Sequence, residues 1–366
     1  MAGIFDYLEW RGDLSFDAVP LCDADRLILS ELCYIDLGAI EPTPLTDLCV
    51  EALRRHTIIE DSGSTHSLLH HKEDEELMLE LAKSPRFADV KIGYCESRFN
   101  KDTEEQFAAM TVFLPYGTAV VVFRGTDWTL IGWKEDFNMT YADVLPAQTS
   151  AVEYLTRIAS LHDGELCVTG HSKGGNLAVY AASFCPEEVS RRIVDVTSLD
   201  GPGFGERVMN SPEYARIKDR VHTYMPSASI VGALLSRTGK FTIIESRAHG
   251  FAQHIPYNWE IMRGGFITGA VRDGTSQLVE VALNDWIAGM TQEERKKFID
   301  TVWSVLADVG VEELGDLFEG KNTRAIIKNY NAMDEASRTY IGDALVKLRD
   351  CAKVSLRELL AEAKKK

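Results

Sequence analysis

Apolar positions follow two rhythms along this chain. Between about residues 88 and 246 they come as short β-branched runs: Val90 to Cys95, Phe107 to Leu114, Thr118 to Arg124 (TAVVVFR), Glu165 to Thr169, Ile193 to Leu199, Val221 to Met225 and Phe241 to Ser246. Runs of this length and composition predict strands. TAVVVFR shows no polar alternation, which places it in the centre of a sheet with both faces covered. Helical spacing over Ser150 to Leu161 and Asn176 to Phe184 alternates with the strands, so the expectation is an α/β fold with a mostly parallel sheet and helices on both faces. Residues 1 to 85 read as helical and irregular, with helices expected at Asp25 to Tyr34 and Asp47 to His56. Near 290 the pattern changes again. Thr291 and Glu294 form a TxxE capping box that opens a charged, amphipathic, all-helical stretch to Lys366. We therefore expect a domain over 1–289 and a helical module over 290–366. Phe298, Val302, Val305 and Leu306 form the packing face of that module, and Lys364 to Lys366 its frayed end.

Chemistry enters at Gly170-His171-Ser172-Lys173-Gly174, a GxSxG pentapeptide between the strand at 165–169 and the helix at 176–184. A serine on a sharp strand-to-helix turn needs neighbours without side chains two residues either side, and both are glycine here. The turn projects the hydroxyl from the sheet edge and aims the helix N-terminus, with the Lys173 amide, at a developing oxyanion. Ser172 is thus the candidate nucleophile and Lys173 N–H a candidate oxyanion donor. An ordinary serine at a glycine-rich helix entry is the competing reading.

Upstream, Val122-Phe123-Arg124-Gly125-Thr126 is followed by Trp133 and Asp136. Together, FRGT after a hydrophobic strand, a WxxD shortly after, and GHSKGG some fifty residues on resemble the fungal-type (class 3) lipases, and more closely the bacterial Mbeg1-like group. The resemblance spans roughly 1 to 265 for the bacterial group and about 90 to 260 for the wider superfamily. It implies an α/β-hydrolase fold and makes Thr126 an oxyanion-hole residue through its hydroxyl and amide. It also assigns the segment holding Asp127, Trp128, Leu130, Ile131, Trp133 and Phe137 to a lid, although bulky groups of this kind serve equally well as plain core. Asp136 is read as structural support for that loop.

A serine needs a base, and the downstream histidines are His222, His249 and His254. His222 falls inside a strand and reads as packed. His249 and His254 flank a loop after the strand at 241–246, where α/β-hydrolases carry the base. The run Gln253-His254-Ile255-Pro256-Tyr257-Asn258-Trp259 resembles the QHxPxxW stretch of the bacterial group, which favours His254. For the acid, the resemblance points to the position before Ile230-Val231, which here holds Ser229. Asp200, closing the strand at 193–199, is the alternative, and it preserves the chain order Ser, Asp, His; a turn-forming Asp-Gly, Asp219 as acid, or no acid at all compete with it.

The remaining features narrow the class. The charge of 39 − 56 = −17 argues against nucleic acid and against electrostatic attachment to anionic lipid. Seven scattered cysteines without CxxC spacing fit reduced thiols in the cytoplasm, and no apolar run reaches membrane-spanning length. His66, His70 and His71 lack a matching acidic ligand and read as solvated, so neither metal nor cofactor is expected. The residues predict acyl transfer through Ser172, His254 and Asp200 with Lys173 N–H as an oxyanion donor, and the resemblance implies a serine esterase or lipase acting on an acyl ester or lipid, with Thr126 as the other donor. The rival is a catalytically weak hydrolase-like interaction module, with the C-terminal helices as the surface for a protein partner.

Overall fold

A computed structural model describes residues 2–61, 72–127, 129–232, 234–235, 240–272, 274–307, 309 and 320–363. His66, His70, His71, Trp128 and Lys364 to Lys366 lie outside them. Eight strands form one sheet in chain order: β1 (Thr43–Pro44), β2 (Lys91–Asn100), β3 (Glu105–Phe113), β4 (Ala119–Phe123), β5 (Leu166–His171), β6 (Ile193–Leu199), β7 (Val221–Pro226) and β8 (Thr242–Ile244). Strands β4 to β8 run parallel, while β1 with β2 and β3 with β4 pair antiparallel. The expected α/β class holds, and every strand read from the sequence is present with its ends moved by a few residues.

Alternation along β4 shows how the sheet is covered. Ala119, Val121 and Phe123 pack with Tyr154, Leu155 and Ile158 of the helix Pro146–Leu161 and with Leu177, Ala178 and Ala181 of the helix Lys173–Phe184. Val120 and Val122 point the other way, into a core shared with Leu27, Ile28 and Leu32 of the helix Asp23–Leu32, with Ile4 and Leu8, and with Trp259 and Phe266. Parallel strands added in chain order with crossovers of a single hand put their connecting helices on one face. The opposite face is therefore left for other segments, and the first ninety residues supply much of it. All five residues of β4 are buried, each Val or Phe contributing about 1.5–3 kcal/mol.

An ion pair fixes this N-terminal layer. Arg86 and Asp25 are both buried, with Nη2 2.5 Å from Oδ2 and Nε donating to Oδ1 at 2.8 Å. Tyr7 Oη donates to the same carboxylate at 2.8 Å, and Arg86 also donates to the carbonyls of Leu14, Val19 and Pro20. Removing either partner leaves a buried charge uncompensated, which typically costs about 3–5 kcal/mol. None of the seven cysteines is in a disulfide, and burial pushes the thiols of Cys22, Cys95, Cys167 and Cys185 up to about 11.

The described residues divide into two compact units. The first collects 1–98, 107–125 and 147–272, and the second 99–106, 126–146 and 273–366. The second unit thus draws on more of the chain than a module beginning at 290. Within it the capping box forms as expected, Thr291 N donating to Glu294 Oε2 at 2.7 Å and Glu294 N to Thr291 Oγ1 at 3.2 Å. Its helices are Leu130–Asn138, Gly274–Ala288, Gln292–Ala307, Gly320–Ala332 and Glu335–Ala363. Trp286 packs edge-on against Phe298 and donates to Ala344 O at 2.8 Å; Phe137 packs on Trp303, and Lys134 pairs with Glu104 at 2.5 Å and Asp300 at 3.4 Å. Among the described residues, no helix is long and apolar enough to cross a membrane.

Candidate active site

Ser172 sits where β5 ends and the helix Lys173–Phe184 begins, with φ 56° and ψ −131°. A non-glycine residue avoids this region at a cost of order 1–3 kcal/mol, and such strain concentrates at functional positions. Both flanking glycines are required by close approach: a Cβ on Gly170 would lie 2.4 Å from the Gly174 carbonyl, and one on Gly174 would lie 2.1 Å from Phe123 O. The turn is therefore pressed against the end of β4. Its hydroxyl caps nothing in the helix it precedes. Lys173 is the first helical residue, and its side chain is buried.

The neighbouring strand end brings the carboxylate. Ser172 N donates to Leu199 O at 2.9 Å, and the next residue, Asp200, is fully buried with φ 52°. Its Oδ2 lies 2.7 Å from His254 Nδ1. Ser229 Oγ donates to its Oδ1, and Gly232 N donates to Ser229 Oγ at 2.9 Å. Ser229, at the position where the resemblance expected the acid, thus touches the carboxylate that stands one strand earlier.

His254 closes the 3₁₀ turn Gly250–His254. Gln253 fastens this turn: its Oε1 accepts from Ala228 N at 2.9 Å, and its Nε2 donates to Ala248 O at 3.1 Å. The loop bearing the imidazole is in this way tied to the bend that carries Ser229. His254 keeps 16% side-chain exposure, enough to face a substrate while its other edge is buried on Asp200.

The other sequence candidates lie elsewhere. His249 is exposed, and Asp219 is exposed in the turn Lys218–Arg220. His222 is not packed as its strand position suggested: 52% of its side chain is exposed, and it faces Asp195 at 3.5 Å. Thr126 belongs to the second unit, where its Oγ1 donates to Asp136 Oδ2 at 2.5 Å, while Thr129 caps the helix Leu130–Asn138 by accepting from Gly132 N. Among the described residues, no three His, Cys, Asp or Glu side chains converge on a metal-sized site.

Two supporting residues escaped the sequence reading. Asn176 accepts from Gln148 at 2.9 Å and donates to Pro202 O at 3.1 Å and Gly203 O at 3.0 Å, joining the elbow helix to the loop after Asp200. Gln253, read from the sequence only as part of the QHxPxxW run and given no role there, is the other. A lone amide in the otherwise apolar run NLAVYAASF was the available signal for Asn176, since a buried polar group requires partners.

Comparison with known proteins adds the following. Among solved structures, the chain is similar to M37 lipase, at 17% identity over 57% of this chain and 68% of that one, with a TM-score of 0.37. It is also similar to the native Rhizomucor miehei lipase propeptide complex, at 17% identity, 60% and 66% coverage and a TM-score of 0.34. A fungal lipase–inhibitor complex, described as a model for interfacial activation, gives 15%, 61%, 78% and 0.38. No curated protein matches. A family model described as Mbeg1-like matches residues 81–304, beginning and ending later than the stretch expected from the motifs, and includes the elbow, the carboxylate loop and the histidine loop. With well over half of its length matched by that model, this chain belongs to the Mbeg1-like family.

Proposed function

We propose that the protein is a serine hydrolase of the lipase type that cleaves an acyl ester. One observation carries the reading: a serine strained at a strand-to-helix bend stands beside a buried carboxylate that is bonded to a loop histidine. In this reading His254 Nε2 takes the Ser172 proton as Oγ attacks the acyl carbon. Asp200 holds the Nδ1–H tautomer and stabilises the imidazolium that forms. The proton then passes from Nε2 to the departing alkoxide, and water, activated by the same nitrogen, releases the acid from the acyl-enzyme.

Lys173 N–H, at the head of its helix, serves the oxyanion. Thr126 enters as second donor on the resemblance alone. A neutral acyl ester or lipid suits this machinery, which uses no cofactor. The cytoplasmic placement read from the scattered thiols and a protein partner for the C-terminal helices belong to the same proposal.

Labelling with a fluorophosphonate tests it. The probe is expected to modify Ser172 in the folded protein and not in Ser172→Ala. Failure to label the folded wild type, with a competent control hydrolase in the same tube, ends the enzyme reading in favour of an interaction module.

A further inference from the structure

The base is held from below by a second histidine that the proposed chemistry does not use. His171 precedes the nucleophile and is 5% exposed. Its Nε2 lies 2.9 Å from the backbone carbonyl oxygen of His254, and the two imidazoles lie against each other at a tilt of 36° with centroids 4.6 Å apart. A carbonyl only accepts, so His171 Nε2 carries the hydrogen, and in the neutral ring Nδ1 is an acceptor. Tyr34 Oη lies 3.2 Å from that Nδ1 and fills the need with its O–H. The same hydroxyl stands at the elbow: a Cβ built on Gly125 would lie 2.2 Å from it and 2.9 Å from Ser172 Cβ. One residue earlier in the loop, Trp259 Nε1 donates to Gln253 O at 2.9 Å, so two consecutive carbonyls are each gripped by a ring N–H.

Resting on the hydrolase reading above, we propose that Tyr34 and His171 are positioning residues for His254. Tyr34 O–H selects the His171 tautomer with hydrogen on Nε2, and that N–H fixes the backbone of His254. The imidazole can then meet both Asp200 and the nucleophile. Neither residue needs to touch substrate. The effect is geometric, and misplacement of a catalytic group by about 1 Å can cost on the order of 100-fold in rate. This arrangement also gives the N-terminal layer, which supplies Tyr34 just past the helix Asp23–Leu32, a direct part in the site.

The test compares Tyr34→Phe, His171→Leu and His171→Gln with wild type in the full chain. It reads kcat and KM on a p-nitrophenyl ester, the rate of fluorophosphonate labelling, the melting temperature, and the low-field proton resonance of His254 Nδ1–H shared with Asp200. We expect kcat and labelling to fall about 100-fold in His171→Leu and about 10-fold in Tyr34→Phe with KM within twofold. The low-field resonance should broaden or shift in both. His171→Gln, whose amide N–H reaches the same carbonyl, is expected to recover at least tenfold over His171→Leu. Two results overturn the proposal: rates within twofold of wild type with an unchanged resonance, or equal losses in His171→Leu and His171→Gln that follow the melting temperature. A wild type that neither labels nor turns over ester sinks the hydrolase reading instead, and the resonance in the variants then decides the positioning by itself.

Discussion

Replacing Asp200 by asparagine preserves the shape of a fully buried side chain and removes its charge. With Oδ2 2.7 Å from His254 Nδ1, unit charges at an effective dielectric of about 20 attract by ~6 kcal/mol. Delocalisation over the carboxylate and the ring brings this nearer ~4–5 kcal/mol, the value for a separation of about 4 Å or slightly less. At about 1.36 kcal/mol per decade, the imidazolium loses three to four orders of magnitude of support. An amide N–H turned toward Nδ1 adds a second fault, because Nε2 then carries the hydrogen and cannot accept the Ser172 proton. The opposite amide rotamer faces Ser229 Oγ, which already accepts from Gly232 N, and it costs Oδ1 the hydroxyl proton it now receives. The assay is kcat/KM on a short p-nitrophenyl ester, with circular dichroism and melting temperature as folding controls and Asp219→Asn as the exposed comparison. We expect a fall of about 10³–10⁴ for Asp200→Asn and less than twofold for Asp219→Asn. Asp200→Asn activity within tenfold of wild type in a folded protein would refute the assignment, since no weaker role fits a charge this buried and this close.

Ser229→Ala should destabilise the protein by about 1.5–3 kcal/mol, because it strips a donor from a buried carboxylate and removes the bond that Gly232 N–H makes to Oγ, and should lower kcat/KM about tenfold. Urea unfolding and ester kinetics check both, and unchanged values would reduce Ser229 to a bystander. Thr126→Val should slow acylation by about 10²–10³ with KM unchanged, the effect of removing an oxyanion donor; a lower melting temperature with unchanged single-turnover rates would leave the hydroxyl only its bond to Asp136. Glu31 supplies a pH signature. Burial first, then Asp74 and Glu73, holds its carboxyl well above the ordinary carboxylate range, and neither oxygen has a hydrogen-bond partner among the described residues. The folded state therefore keeps a proton that the unfolded chain releases near pH ~4.3, so stability falls as pH rises above that value. Glu31→Gln should match wild type near pH 4 and exceed it progressively toward pH 7 in chemical unfolding, and parallel curves would show that Glu31 ionises without cost.

Local sequence was enough to give the strands, the two central helices and the elbow, because each depends on residues adjacent in the chain. The period of TAVVVFR sets burial on both faces, and Gly170 and Gly174 permit a bend that the intervening residues require. Choosing His254 over His249 also rested on contiguous residues, here the QHxPxxW resemblance. The partner of that histidine was a different matter. Asp200 and His254 are 54 residues apart, and what joins them is the order of parallel strands and the pinning of one loop by Gln253, neither of which leaves a periodic trace. For the same reason Ser229 looked like a lost acid when it is a donor to Asp200. The N-terminal ninety residues read from the sequence only as helical and irregular. Only the folded sheet, with connecting helices on one face and a bare second face to cover, explains why that segment packs there and why Tyr34 arrives beside the nucleophile.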